Sequence, residues 1–252
     1  MRYPEHMTPV LLVHSSGFTS RQWRKLGEQL APHHRVIAPD LIGYGAERWP
    51  TGKPFHFRDD VALLAALLDE PAHVVGHSYG GLLALQLALA RPAAVRSLAL
   101  YEPVAFGVLD QPEDAAALDD LARLPVYRPE APEDWLESFV DWWQGAGAWA
   151  ALSPATRQAF LEVSWKTSQE VASLSADRSG CARYAAITAP TLLLAGEVTR
   201  PVELRVVERL AQILPRATLQ RCPGMGHMGP ITHAAQVNAA IAAFIASLNA
   251  IA

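Results

Sequence analysis

The sequence predicts an α/β protein: a doubly wound, mainly parallel sheet of six strands, broken once by a helical insertion. Three observations carry this. Six short strand-like runs are mostly apolar without alternation, as strands buried on both faces are. Helical patterns mostly follow them, so strand and helix alternate. The alternation stops once, over about residues 104–185, where helix follows helix.

In chain order, Thr8 to His14 (TPVLLVH) is the first strand, and Ser15 to Ser20 a turn-rich loop. Arg21 to Leu30 reads as a helix, with Trp23, Leu26 and Leu30 at helical spacing. Arg35 to Pro39 is the second strand, and DLIGYG (Asp40 to Gly45) a glycine-punctuated loop. Phe57 to Asp69 is a helix with an apolar face. Ala72 to Gly76 is the third strand, running straight into HSYGG and an apolar helix to Ala90. Val95 to Leu100 is the fourth strand.

The insertion begins with a segment rich in proline and acid, Asp110 to Pro132, read as a flexible linker with a short helix at Ala115 to Leu121. Helices at Glu133–Trp143 and Pro154–Leu174 carry Trp135, Trp142, Trp143 and Trp165, with Trp149 between them. Alternation resumes with Thr191 to Ala195, a helix at Glu203–Leu214, a last strand at Ala217–Gln220 and a closing helix at Ile231–Leu248. The expected division is a core of residues 1–103 and 186–252 around a helical cap, 104–185.

Composition narrows the function. Half of the 252 residues are hydrophobic and 18% are charged, which suits a large core and excludes disorder as the main state. Lys plus Arg is 21 against 25 Asp plus Glu, a net charge of −4, so no footprint for nucleic acid or an anionic membrane is present. Cys181 and Cys222 are too few for a disulfide framework or a zinc site and are expected to be free thiols. Residues 1–10 lack an apolar stretch of signal-peptide length, and no apolar run reaches the ~18 residues of a membrane span. The expectation is a cytoplasmic protein with a small-molecule substrate.

The chemistry concentrates in Gly76-His77-Ser78-Tyr79-Gly80. This G-x-S-x-G follows an apolar strand and opens an apolar helix, the context in which the motif has meaning. A tight strand-to-helix turn strains the serine backbone, admits only very small neighbours at Gly76 and Gly80, and lifts the hydroxyl above the sheet. It also sets a helix N-terminus under a developing oxyanion. A serine hydroxyl needs a base. His227, in the glycine-rich loop GMGHMGP after the last strand, is the candidate. His33 and His34 read as exposed turn residues, and His233 as a surface residue. The order serine, acid, histidine calls for a carboxylate between them. Glu102, ending the fourth strand, and Glu197, after the fifth, both qualify.

Through LLVHSSG, DLIGYG, GHSYGG, TLLLAGE and GMGH, the chain resembles the α/β-hydrolase superfamily over almost its whole length. The family's usual acid lies three positions past the glycine of the fifth-strand loop, which here is Thr199, without a carboxylate. Some members, many haloalkane dehalogenases among them, carry a glutamate where Glu102 stands. The resemblance therefore implies a triad of Ser78, Glu102 and His227, with Glu197 in reserve. It implies oxyanion donors at the backbone N–H groups of Tyr79 and Ser16, although Ser15 replaces a glycine usual in that loop.

A serine at the elbow implies acyl transfer, where dehalogenases and epoxide hydrolases use aspartate. The expected reaction is hydrolysis of small, mostly apolar carboxylic esters. Rival expectations are hydrolysis of activated carbon–carbon bonds or lactones, or a slow-turnover receptor on the same scaffold. Phe18, His77, Phe106 and Trp142 are the expected pocket residues, with Trp23 a further one, while most of the insertion's tryptophans should only pack. No cofactor or metal is expected, since G-x-G-x-x-G is absent and no histidine pair has metal-ligand spacing. A histidine base predicts activity falling on the acidic side of neutrality.

Overall fold

A computed structural model describes residues 7–249 of the chain. Residues 1–6, which fall within the stretch read as free of a targeting segment, and residues 250–252 lie outside it. The strands are β1 (Pro9–Val13), β2 (Arg35–Ile37), β3 (Ala72–His77), β4 (Val95–Tyr101), β5 (Thr191–Gly196) and β6 (Ala217–Cys222). The helices before the insertion are α1 (Arg24–Leu30), α2 (Phe57–Ala66) and α3 (Tyr79–Ala90). Those of the insertion are α4 (Ala115–Leu121), α5 (Pro132–Gln144), α6 (Ala148–Ala151), α7 (Pro154–Ser175) and α8 (Cys181–Tyr184). The chain closes with α9 (Pro201–Ile213), α10 (Gly229–Thr232) and α11 (Ala234–Asn249).

All neighbouring strands pair in parallel, in the order β2-β1-β3-β4-β5-β6. The order reverses between β1 and β3, so the loops that follow these two strands open a crevice at the carboxyl edge. Burial follows position. The central strands β1, β3 and β5 are buried throughout, whereas the edge strand β6 alternates. One apolar core packs α2, α3 and α9 on one face, and a second packs α1 and α11 on the other. A third, around Trp135, Trp149 and Phe160, belongs to the insertion. Among the described residues no helix is long and apolar enough to cross a membrane.

Helix α3 is buried on nearly all sides, which is why its sequence shows no polar face. Its one interior polar side chain, Gln86, donates to the Tyr184 hydroxyl (2.9 Å), Ser179 Oγ and Asp177 Oδ2 (3.2 Å each). Burying an amide is tolerable only with such partners.

Three expectations change. The Pro- and acid-rich segment is not a flexible linker. Asp114 accepts from Arg205 Nε (2.6 Å) and Arg209 Nε (2.9 Å), Asp120 pairs with Arg200, and so the segment is pinned along α9. The closing helix is broken at His233 (φ −128°, ψ 37°) into α10 and α11. His34 is buried, its Nδ1 3.2 Å from the Thr8 carbonyl, while His33 is exposed as expected. Both cysteines are free.

Candidate active site

Two non-glycine residues among the described residues have positive φ, Ser78 (55°) and Glu102 (42°). Strained backbone of this kind persists only where the surroundings hold it, and it gathers at working sites. Ser78, with ψ −117°, is held on both sides. Its N–H donates to the Tyr101 carbonyl (3.0 Å), and its carbonyl accepts from Gly81 (2.9 Å), Leu82 (3.1 Å) and Val104 (3.3 Å). The two motif glycines have a steric reason. A Cβ on Gly76 would lie 2.4 Å from the Gly80 carbonyl oxygen, and one on Gly80 would lie 2.4 Å from the Val13 carbonyl oxygen. The turn closes onto itself and onto β1 with no room for a methyl group.

Above this turn the three side chains meet. His227 Nε2 lies 2.9 Å from Ser78 Oγ, and His227 Nδ1 lies 2.8 Å from Glu102 Oε2. Glu102 is fully buried and its carboxylate accepts twice more, from the Gly196 N–H at Oε1 (2.7 Å) and from the Thr199 hydroxyl at Oε2 (2.8 Å). Thr199 thus contributes a hydroxyl, not a carboxylate, and aims it at Glu102. Glu197 is exposed and makes no side-chain hydrogen bond to His227. The structure therefore brings Glu102, and not Glu197, to the histidine.

The His227 loop is tied down by Tyr101, whose hydroxyl donates to the Gly226 carbonyl (2.8 Å). It is tied again by His77, and here a pocket expectation is corrected. His77 is fully buried, and burial drives its pKa well below the usual histidine value. Its Nε2 donates to the His227 carbonyl (2.8 Å), leaving Nδ1 to accept from Gln22 Nε2 (3.1 Å). Gln22 Oε1 in turn accepts from the Ser15 N–H (3.0 Å). His77 is a strut between the histidine loop and the β1 loop because the end of β3 turns it into the protein interior.

The β1 loop is held residue by residue. His14 is buried and neutral, its pKa lowered to about 4 by burial. It accepts from the Leu41 N–H at Nε2 (3.0 Å) and donates from Nδ1 to the Ser15 carbonyl (2.8 Å). The Gly17 N–H donates to the Tyr44 hydroxyl (3.1 Å). Between the engaged N–H groups of Ser15 and Gly17, the Ser16 N–H has no protein partner among the described residues. Ser16 and Tyr79 both border the pocket beside Ser78.

That pocket, about 560 Å³ with its mouth, is apolar: Phe18, Phe106, Phe139, Phe160, Trp143 and Leu174 supply much of its wall. No lysine or arginine lines it. Phe18 and Phe106 both line it. Trp142 does not, because adjacent helical residues point about 100° apart and α5 turns Trp143 inward instead. Trp142 packs under the Arg200 guanidinium, 4.1 Å from its ring centre. Trp143 lies almost parallel to the His227 imidazole, with ring centres 4.2 Å apart. Trp23 is buried in the core, its indole donating to the Val13 carbonyl (3.0 Å). Of the other tryptophans, Trp135 and Trp149 pack the insertion, and Trp165 donates to the Lys53 carbonyl (3.0 Å).

Glu203, near Glu102 and His227, escaped the sequence reading. It is fully buried on α9, and neither carboxyl oxygen has a hydrogen-bond partner in the protein. Burial first, then the negative charges of Glu102 and Asp120, push its pKa well above the usual carboxylate value, favouring the protonated form. Among the described residues, Glu102, Glu203 and His227 are the one group of potential metal ligands. In this group His227 Nδ1 and Glu102 Oε2 are already bonded to each other.

Comparison with known proteins agrees with the fold. Residues 10–240 match the model of a family described as the alpha/beta hydrolase family. The lipase LipV of Mycobacterium tuberculosis is 34% identical over 163 residues, 63% of this chain and 58% of that protein. RutD of Variovorax paradoxus, provisionally named a carbamate hydrolase, is 33% identical over 255 residues, 96% of this chain and 92% of that protein. A crystal structure of a mutant of the meta-cleavage product hydrolase CumD superposes with a TM-score of 0.73 at 24% identity, covering 96% of this chain and 92% of that one, a likeness of fold alone. Sheet order, strand-to-helix turn and family match agree: the chain belongs to the alpha/beta hydrolase family.

Proposed function

We propose that this hydrolase cleaves small, uncharged, mostly apolar carboxylic esters through an acyl-enzyme on Ser78. The observation that carries the proposal is the hydrogen-bonded chain Ser78–His227–Glu102 at one end of an apolar pocket. In this mechanism His227 Nε2 takes the Ser78 proton as Oγ attacks the ester carbonyl, and Glu102 holds the imidazole in the tautomer that leaves Nε2 free to accept. The N–H groups of Ser16 and Tyr79 receive the oxyanion, an interaction for which the loss of one donor costs ~2.7–4 kcal/mol of barrier. His227 then protonates the departing alcohol, and a water activated by the same base releases the acid.

The pocket wall supports an uncharged substrate. A carboxylate or phosphate held there would be buried without a basic partner, at a cost of several kcal/mol. The insertion acts as the cap that roofs the pocket through Phe139, Val140 and Trp143.

The test is steady-state hydrolysis of p-nitrophenyl acetate, butyrate and octanoate by the wild type and Ser78→Ala. Turnover that disappears in the alanine variant supports the proposal, and the chain-length trend measures the pocket. Turnover no greater than that of Ser78→Ala overturns the ester assignment. Assays with vinylogous 1,5-diketones and lactones would then decide the bond class.

A further inference from the structure

Beneath the β1 loop lies a buried cluster of charges that the triad does not use. Lys166 and Glu170 sit one turn apart on α7, and Asp60 lies on α2; all three are at most 1% exposed. Lys166 Nζ donates to Asp60 Oδ2 (3.0 Å) and to Glu170 Oε1. Phe55, Tyr44 and Tyr79 surround the ammonium with ring centres 3.8, 4.9 and 5.6 Å away. Burying an ammonium and two carboxylates is expensive unless every member is paired. Nothing in the packing of a hydrophobic core calls for them.

Most of the remaining bonds of the cluster lead to the site. Glu170 Oε2 accepts from the Ser16 hydroxyl (2.6 Å) and from the Tyr44 hydroxyl (2.8 Å), and Tyr44 accepts from the Gly17 N–H (3.1 Å). Asp60 Oδ2 accepts from the Tyr79 hydroxyl (2.8 Å), and Asp60 Oδ1 accepts from the Ile42 N–H (2.9 Å). One lysine of the insertion therefore links, through two carboxylates, the side chains of Ser16 and Tyr79. These are the residues whose N–H groups receive the oxyanion in the mechanism above.

We propose that Lys166, with Glu170 and Asp60, is a positioning residue for the oxyanion hole, so that docking of α7 assembles the site's transition-state-binding donors. The inference rests on the acyl-enzyme reading of Ser78. Ser16 lies in the β1 loop and Tyr79 opens α3, so their N–H groups come from separate segments of the chain. The carboxylates bridge that gap through charge-assisted hydrogen bonds, stronger and shorter than neutral ones. An error of 1 Å in such a donor costs about a hundredfold in rate. The step assisted is the attack of Ser78 Oγ on the carbonyl, in which the C=O electron pair moves onto oxygen and the Oγ proton onto His227 Nε2. The cluster itself exchanges no proton with the substrate.

The test compares Ser16→Ala, Ser16→Thr and Lys166→Met with the wild type. It uses p-nitrophenyl butyrate turnover, inhibition by trifluoromethyl butyl ketone (whose hemiketal with Ser78 Oγ carries an oxyanion on the former ketone oxygen) and thermal unfolding. Ser16→Ala removes one exposed-side tie and leaves the core intact. It should lower kcat about tenfold or more with KM within about twofold, and weaken the ketone by the same factor. Ser16→Thr keeps the hydroxyl and should return kcat to within about threefold of the wild type. Lys166→Met should repeat the kcat loss; if it does not fold, the Ser16 pair decides alone. An unchanged kcat and ketone affinity in Ser16→Ala overturns the inference, as does a rise in KM alone, while Ser78-dependent turnover still stands. Full turnover by Ser78→Ala removes the acyl-enzyme reading and this inference with it.

Discussion

Replacing Glu102 by glutamine tests the acid at atomic resolution. Three donors converge on its carboxylate: Gly196 N–H at one oxygen, and the Thr199 hydroxyl and His227 Nδ1 at the other. An amide offers one acceptor and one donor in the same space. With its oxygen on Gly196, its NH2 group faces His227 Nδ1. The imidazole must then accept at Nδ1 and carry its proton on Nε2, the atom 2.9 Å from Ser78 Oγ. A protonated Nε2 cannot take the serine proton. The expected loss in kcat is ~10⁴-fold, or ~5.5 kcal/mol at 1.36 kcal/mol per tenfold. Glu197→Gln, at an exposed position, should stay within about twofold. The assay is p-nitrophenyl butyrate hydrolysis near pH 8, with circular dichroism to show that both variants are folded. A folded Glu102→Gln retaining more than about a tenth of the wild-type kcat, or a Glu197→Gln that loses as much as Glu102→Gln, would show that Glu102 is not the acid that orients His227.

Three further outcomes follow from the same geometry. Glu203 has a raised pKa in the fold, so above the unfolded value of ~4.3 the unfolded chain releases a proton that the folded chain keeps, and stability falls as pH rises. Glu203→Gln should therefore raise the unfolding temperature at pH 8 and leave it unchanged near pH 4; equal shifts at both pH values would contradict a raised pKa. Gly76→Ala places a methyl 2.4 Å from the Gly80 carbonyl oxygen and should cost ~3 kcal/mol or more, a drop of roughly 6–12 °C by thermal scan for a chain of this size. Trp143→Ala opens the wall between the pocket and the outer cleft lined by Gln144, Arg200 and His233. It should lower kcat/KM for the acetate ester about tenfold and shift preference toward the octanoate; an unchanged chain-length profile would show that Trp143 does not bound the acyl site.

Residues that act within one turn of chain were legible in the sequence. The buried strands announced themselves as apolar runs. Gly76 and Gly80 marked the turn that lifts Ser78, because the clash they avoid lies at that turn and its junction with β1. His227 stood in a glycine-rich loop after the last strand, at the edge of the sheet where such loops converge on the site. The parallel, doubly wound class of the sheet followed from the same alternation. These features depend on steric and hydrophobic preferences expressed over a few residues, which sequence carries directly.

What tertiary structure decided lies between segments far apart in the chain. Glu102 and Glu197 both follow strands, and the residues alone left both open; the family resemblance favoured Glu102, and the placement of β4 between β3 and β5, with Glu102 in positive φ, is what brings it to His227. Helical spacing marked α5 as aromatic, but the phase of the helix against the pocket chose Trp143 over Trp142. His77 read as a pocket residue because it flanks Ser78; its role as a strut depends on Gln22 and on a carbonyl 150 residues away. Lys166 and Glu170, four residues apart on α7, drew no attention in the sequence. They are buried because α7 lies across Asp60, Tyr44 and Ser16. A sequence records which face of a helix is polar. What covers that face, and therefore whether a charge is solvated or must be paired, is settled only when the segments pack.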